Sequence, residues 1–140
     1  MAEGPDPAVL AQAIKGLSDD ELETQIAEQG IDHILKQIFE GMQGAFRPDK
    51  AGANSAVVQY DIETDEGTRS WTVDIEPGKC TTREGAADSP RLTLVLPIVR
   101  FVRLIFGQAD GTQLFMSGQL KLKGDMMFAM QFQNFFERRA

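Results

Sequence analysis

The chain has 140 residues, 42% of them hydrophobic and 25% charged, which is the composition of one globular domain that can bury a core. Its formal net charge of −7 at pH 7 has the wrong sign for a protein that binds phosphate backbones, which excludes nucleic acid as the expected partner. The single cysteine cannot form an internal disulfide, and no apolar stretch reaches the roughly 18 residues of a membrane span, so we expect a cytoplasmic protein.

The amino-terminal third of the chain is predicted to be helical. A weak apolar segment, 8–15, precedes a firmer start at Ser18, where Glu21 three residues later predicts a capping box. The helix that begins there covers 19–29 and ends at a glycine. In 31–46 the apolar residues fall on one face at a helical period, which predicts a helix that packs on the rest of the domain.

From Val58 onward the apolar residues recur with a period of two, which indicates strands. The sequence predicts five of them: Val58–Glu63, Trp71–Glu76, Cys80–Glu84, Leu92–Leu96 and Gln119–Lys123. The first three follow one another across short turns and form a meander. Because each convincing strand has one apolar and one polar side, helices are expected to cover only one face of the sheet.

Two late helices carry more apolar surface than one sheet face requires. In 97–106 every position is apolar except an arc held by Arg100 and Arg103, with a stop expected at Gly107. In 125–138 a phenylalanine stripe and a methionine stripe lie on different sides of the helix: Phe128, Phe132, Phe135 and Phe136, then Met126, Met127 and Met130. Other helices, a partner subunit or an apolar ligand could each cover the second face, and a dry core accounts for the same pattern.

The residues that carry most enzyme chemistry are scarce. His33 is the one histidine and falls on the polar face of its helix, and Cys80 has no sequence neighbour that would lower its pKa. The pattern offers no metal-ligand cluster, no nucleophilic triad and no phosphate-binding glycine loop. We therefore predict no catalytic residue, no metal and no cofactor.

A run near the carboxyl terminus resembles a known family. Residues 114–126 are similar to the carboxy-terminal signature of sterol carrier protein type 2 domains, in which a Phe-x-Ser-Gly motif is followed by Lys-x-x-Gly-Asp. Residues 67–75 and 78–80 resemble the second and third strands of that family, and 46–51 resembles its entry into the sheet. The likeness extends over 31–136, and the segment before it resembles an extension of bacterial single-domain members.

The resemblance implies an α+β fold with a five-stranded, mostly antiparallel sheet covered on one face by helices. It also implies two parts, a helical extension over 1–30 and a lipid-binding domain over 31–140. Members of the family carry fatty acids, fatty acyl-CoA or sterols in an apolar cavity between sheet and helices and do not transform them. The chain ends without a Ser-Lys-Leu peroxisomal address, so we expect a bacterial, cytoplasmic member.

On this interpretation the cavity is lined by apolar side chains of the sheet and the late helices. We expect these to be Trp71, Val73, Phe101, Leu104, Ile105, Leu114, Phe115, Met126, Met127, Met130 and Phe132. Arg100 and Arg103 either contact a head group or membrane surface or keep their helix soluble. Two other hypotheses stay open: a homodimer or protein-interaction module that uses the same apolar faces, and a thioesterase-like acyl-CoA enzyme.

Overall fold

The computed structural model describes residues 14–106 and 108–135. Its elements, in chain order, are α1 (Asp19–Gln29), α2 (Ile31–Ala45), α3 (Pro48–Ala51), β1 (Ala56–Thr64), β2 (Gly67–Glu76), β3 (Lys79–Glu84), β4 (Leu92–Pro97), α4 (Ile98–Ile105), α5 (Gly111–Met116), β5 (Lys121–Gly124) and α6 (Met126–Phe132), which continues as a 3-10 turn over Gln133–Phe135. Most of the predicted segment 8–15, the predicted stop at Gly107 and the predicted helix end beyond Phe135 lie outside the described residues.

The five strands form one mixed sheet in the order β3-β2-β1-β4-β5. Neighbouring strands are antiparallel except the central pair, β1 and β4, which run parallel with Tyr60 opposite Leu94. A parallel pair needs a crossover connection, and here β2 and β3 lie between the two strands in the chain. The α+β fold with a five-stranded, mostly antiparallel sheet is therefore confirmed.

The two faces of the sheet differ as the period of two predicts. On β1 the side chains of Val58, Tyr60 and Ile62 are buried on the side that the helices cover. The intervening Gln59 and Asp61 are half-buried on the other side, where the Gln59 amide donates to the Asp61 carboxylate at 2.8 Å. One face therefore belongs to the core and the other is polar.

Helix α1 begins with the predicted capping box. The Glu21 N–H donates to the Ser18 hydroxyl at 3.1 Å, and the Ser18 N–H donates to the Glu21 carboxylate at 2.9 Å. Leu22 and Ile26 on the inner side of α1 are buried in the same apolar cluster as the sheet. Helix α1 thus packs on the domain. The division into a helical extension over 1–30 and a lipid-binding domain over 31–140 stays a prediction.

The segment around the start of β5 differs from the sequence prediction. Strand β5 begins at Lys121 and not at Gln119, because the N–H groups of Gln119 and Leu120 both donate to the Leu114 carbonyl and close the turn after α5. Helix α5 itself has six residues and was not predicted, since an apolar stripe needs more than two turns to be recognised.

Candidate functional site

Aromatic rings fill the space between the sheet and the helices. Phe39 of α2 stacks on Trp71 of β2 with 4.8 Å between ring centroids. Phe39 also stacks on Phe101 of α4 at 5.2 Å and meets Tyr60 of β1 in an edge-to-face arrangement at 5.3 Å between ring centroids. Phe132 of α6 lies 6.3 Å from Tyr60, so a line of rings crosses the interior from β2 to the last helix.

The line of rings continues to the surface. Phe132 lies 6.2 Å from Phe135, whose side chain is 2% exposed and forms the apolar part of a surface cleft between α3 and the end of α6. This cleft has a volume of about 430 Å³ and is lined by Lys50, Asn54, Gln131, Asn134 and Phe135. The interior of the domain and a polar opening are thus joined through adjacent aromatic side chains.

Most of the predicted lining residues on the sheet and inner helix faces are in the core. The buried members are Trp71, Val73, Phe101, Leu114 and Phe132. Leu104 and Ile105, near the end of α4, are half-buried and pack against the same core. In this structure these side chains contact one another, so a guest molecule would have to separate them.

The other predicted lining residues point outward. Phe115 and Met126 are 45% and 44% exposed, and Met127 and Met130 are 77% and 72% exposed. The described members of the phenylalanine stripe, Phe128, Phe132 and Phe135, face the core, whereas the methionine stripe faces solvent. This difference distinguishes the two apolar faces, which the sequence left equivalent. Met116 of α5, which was not predicted as a site residue, is exposed as well.

The two arginines of α4 hold the start of α1. Arg103 Nε and Arg100 Nη2 each lie 2.9 Å from a carboxylate oxygen of Asp19. Arg103 also donates to the carbonyls of Ile14 at 3.3 Å and Leu17 at 2.7 Å. The pKa of Asp19 is lowered from its ordinary value, mainly by the hydrogen bond from Arg103, and the charge of Arg100 lowers it further.

A second cleft, of about 480 Å³, opens beside Arg100. Its lining includes five carboxylates: Asp19, Asp20, Glu23, Glu63 and Asp65. Like charges repel, so this opening disfavours an anionic head group even though one arginine lines it.

The histidine and the cysteine considered as a ligand and a nucleophile lie in different surroundings. His33 is exposed, and Cys80 is buried, with its pKa raised to about 11 mainly by burial and further by the Asp74 charge. Within 14–106 and 108–135, no group of three or more histidine, cysteine or acidic side chains is arranged to hold a metal ion. Among these same residues, no helix has the length and apolarity that a bilayer crossing demands.

The sequence also matches a family model and a curated relative over most of its length. Residues 35–137 match the model of the SCP-2 sterol transfer family. The chain is 32% identical over 108 residues to the oleate-induced peroxisomal protein POX18 of Candida maltosa. The aligned region covers 75% of this chain and 85% of that protein. This chain belongs to the SCP-2 sterol transfer family. The resemblance of the carboxy-terminal motif is therefore confirmed.

Solved structures of SCP-2 proteins share the fold. The crystal structure of Sterol Carrier Protein 2 Like 2 from Aedes aegypti has a TM-score of 0.63 and 23% identity, and the match covers 75% of this chain and 98% of that one. The solution structure of the palmitated form has a TM-score of 0.60 at 23% identity, with coverage of 72% and 93%. The peroxisomal multifunctional enzyme type 2 of Mus musculus is 32% identical over 82 residues, which span 56% of this SCP-2 chain and only 11% of that enzyme.

Sequence reasoning missed the polar cleft at the end of the line of rings. Gln131 and Asn134 lie three residues apart on the outer side of the last helix. From their spacing alone, these two polar side chains would be predicted only to face solvent. Their meeting with Lys50 depends on a tertiary contact, in which the Arg47 N–H donates to the Phe135 carbonyl at 2.6 Å. No spacing in the sequence reports such a contact.

Proposed function

We propose that this SCP-2 family member binds a long-chain lipid between its sheet and its helices and carries it without chemical change. The observation that carries the proposal is the line of rings from Trp71 to Phe135, which connects the interior to an open cleft. Burying each methylene contributes about 0.8 kcal/mol, so a chain of about 16 carbons contributes on the order of 10 kcal/mol before the costs of association and ordering.

The predicted lining residues have two roles in this proposal. Buried side chains such as Trp71, Phe101 and Phe132 become the walls of the site when the rings separate. The exposed side chains of the late helices, Phe115, Met126, Met127 and Met130, form the rim past which the lipid enters. Methionine suits a rim because its unbranched thioether adapts to variable apolar shapes.

Fatty acids, fatty acyl-CoA and sterol-like lipids are the candidate cargoes. The palmitated form of the Aedes aegypti relative supports an acyl chain as one of them. Native mass spectrometry of freshly purified protein identifies the cargo directly, because a lipid that co-purifies appears as an added mass.

The chain has one tryptophan, which supplies the binding assay. Because Trp71 lies at the inner end of the line of rings, stacked on Phe39, a brominated fatty acid that enters the site should quench its fluorescence. We expect saturable quenching that unbrominated palmitate reverses. Quenching that rises linearly and resists competition would contradict a bound chain.

The exposed methionines favour one second candidate function. Met116, Met127 and Met130 are each more than 70% exposed, and such apolar surface also suits a homodimer or a docked protein. Sedimentation separates the two functions. A dimer whose population is independent of lipid, in a protein whose tryptophan does not respond to brominated lipid, supports the interaction module and contradicts the carrier.

A further inference from the structure

The cleft between α3 and the end of α6, which we term the head-group cleft, is lined by hydrogen-bond donors. Lys50 brings an ammonium group, and Asn54, Gln131 and Asn134 bring side-chain amides. Among the residues that the structure describes, no carboxylate belongs to this lining, whereas five line the other cleft described above. In a chain of net charge −7 this is an opening that an anion can approach.

The polar groups of the cleft are available to a ligand. Asp49, the acid next to Lys50, pairs with Arg47, whose Nη2 lies 3.4 Å from its carboxylate. The Asn54 amide donates to the Ala51 carbonyl at 2.6 Å, which fixes its orientation and leaves its second N–H for a partner. Gln131 and Asn134 are exposed on one side of the last helix.

The cleft is polar outside and apolar inside. Its inner end is the buried Phe135 ring, which contacts Phe132 and through it the line of rings. The Arg47 N–H bond to the Phe135 carbonyl ties α3 to the end of α6, so both walls of the cleft are held together before a ligand arrives. An amphiphile with an anionic head and one long acyl chain matches this arrangement, with its head at the polar opening and its chain at the apolar inner end.

We propose that the head-group cleft binds the anionic head of the lipid, a carboxylate or a phosphate, while the chain lies along the line of rings. The inference rests on the proposed function, because the acyl chain of the lipid supplies most of the binding free energy and the head group determines which lipids are preferred. It assigns acidic lipids, and not uncharged ones, as the preferred cargo.

The test compares palmitate with hexadecanol, which has the same chain length and no charge. For Lys50→Gln we expect palmitate to bind about tenfold more weakly, the usual effect of losing one charge-assisted hydrogen bond. Hexadecanol should bind within about twofold of wild type, since its neutral hydroxyl forms no ion pair with the lysine and the glutamine amide can still donate a hydrogen bond to it. Asn134→Leu removes one neutral donor and should weaken palmitate by a smaller factor. Lys123→Gln, which removes an exposed lysine from β5, is the matched control and should change neither affinity.

Two further ligands separate the sources of the anion. If palmitoyl-CoA binds more tightly than palmitate and millimolar inorganic phosphate competes with it, the head is a phosphate. If palmitate binds more tightly and phosphate does not compete, the head is a carboxylate. Equal losses of palmitate and hexadecanol affinity in Lys50→Gln, or no loss of either, would overturn the head-group cleft. A wild-type protein that binds none of these lipids would instead overturn the proposed carrier function itself.

Discussion

The substitution Met130→Glu tests the entry rim most directly. Met130 is 72% exposed on the outer side of α6, so a carboxylate there stays hydrated and should change the free energy of unfolding by less than about 0.5 kcal/mol. In the carrier proposal the same side chain lies against the lipid. The substitution should therefore weaken lipid binding while leaving the fold intact.

The expected loss of affinity has two parts. A methionine that covers part of an acyl chain contributes about 1 to 2 kcal/mol through the apolar area it removes from water. A carboxylate that must face the chain instead loses part of its hydration, at a cost of about 1 to 3 kcal/mol. Together these amount to about 2 to 5 kcal/mol, which corresponds to roughly 30- to 4,000-fold weaker binding.

Two measurements on the same sample decide the outcome. Far-UV circular dichroism during a urea titration reports the fold, and quenching of Trp71 by brominated palmitate reports binding. Met116→Glu introduces the same charge on α5 at a side chain that is 81% exposed and lies outside the proposed rim, and it should bind lipid normally. Wild-type affinity in Met130→Glu would refute the placement of the rim, and so would an equal loss in the control.

Three further predictions concern stability and reactivity. Asp19→Asn should lower the free energy of unfolding at pH 7 by about 1 kcal/mol, because Arg103 loses its carboxylate partner. Since the folded protein lowers the pKa of Asp19, its contribution is fully present above the ordinary value of 3.8 and is lost as the pH falls through the lowered value, so the urea midpoints of variant and wild type should converge as the pH falls below 3.8. Gly124→Ala should cost about 2 kcal/mol or more in a urea titration, because φ is +108° and the new Cβ meets the Arg91 carbonyl, while Gly52→Ala, with open space around it, should cost less. Cys80, whose pKa is raised to about 11, should react with a thiol reagent at pH 8 far more slowly in the folded protein than in urea, and equal rates would contradict its burial.

Local rules explain the parts of the fold that the sequence predicted. The Ser18 and Glu21 pair specifies a helix start because both hydrogen bonds of a capping box join residues three apart. The alternation of Val58, Tyr60 and Ile62 specifies a strand with one buried face because successive side chains point to opposite sides. These features need no knowledge of the rest of the chain.

The candidate site was less predictable because it depends on contacts between distant segments. Arg103 and Asp19 are 84 residues apart, so the sequence could not show that the arginine arc of α4 already has an intramolecular partner. The head-group cleft arises in the same way, from Lys50 before the sheet and two amides on the last helix. A helical wheel identifies a polar arc but not the group that will face it.

The packed line of rings also bears on how a carrier releases its cargo. A guest must separate contacts such as the Phe39 and Trp71 stack, and each aromatic pair contributes about 0.5 to 1.5 kcal/mol beyond its buried area. In the proposed carrier, the net free energy of binding would be the gain from burying the acyl chain minus the cost of opening the rings. In the proposed carrier, the rings would pack on one another again as the lipid leaves, and these contacts would offset part of the cost of releasing it.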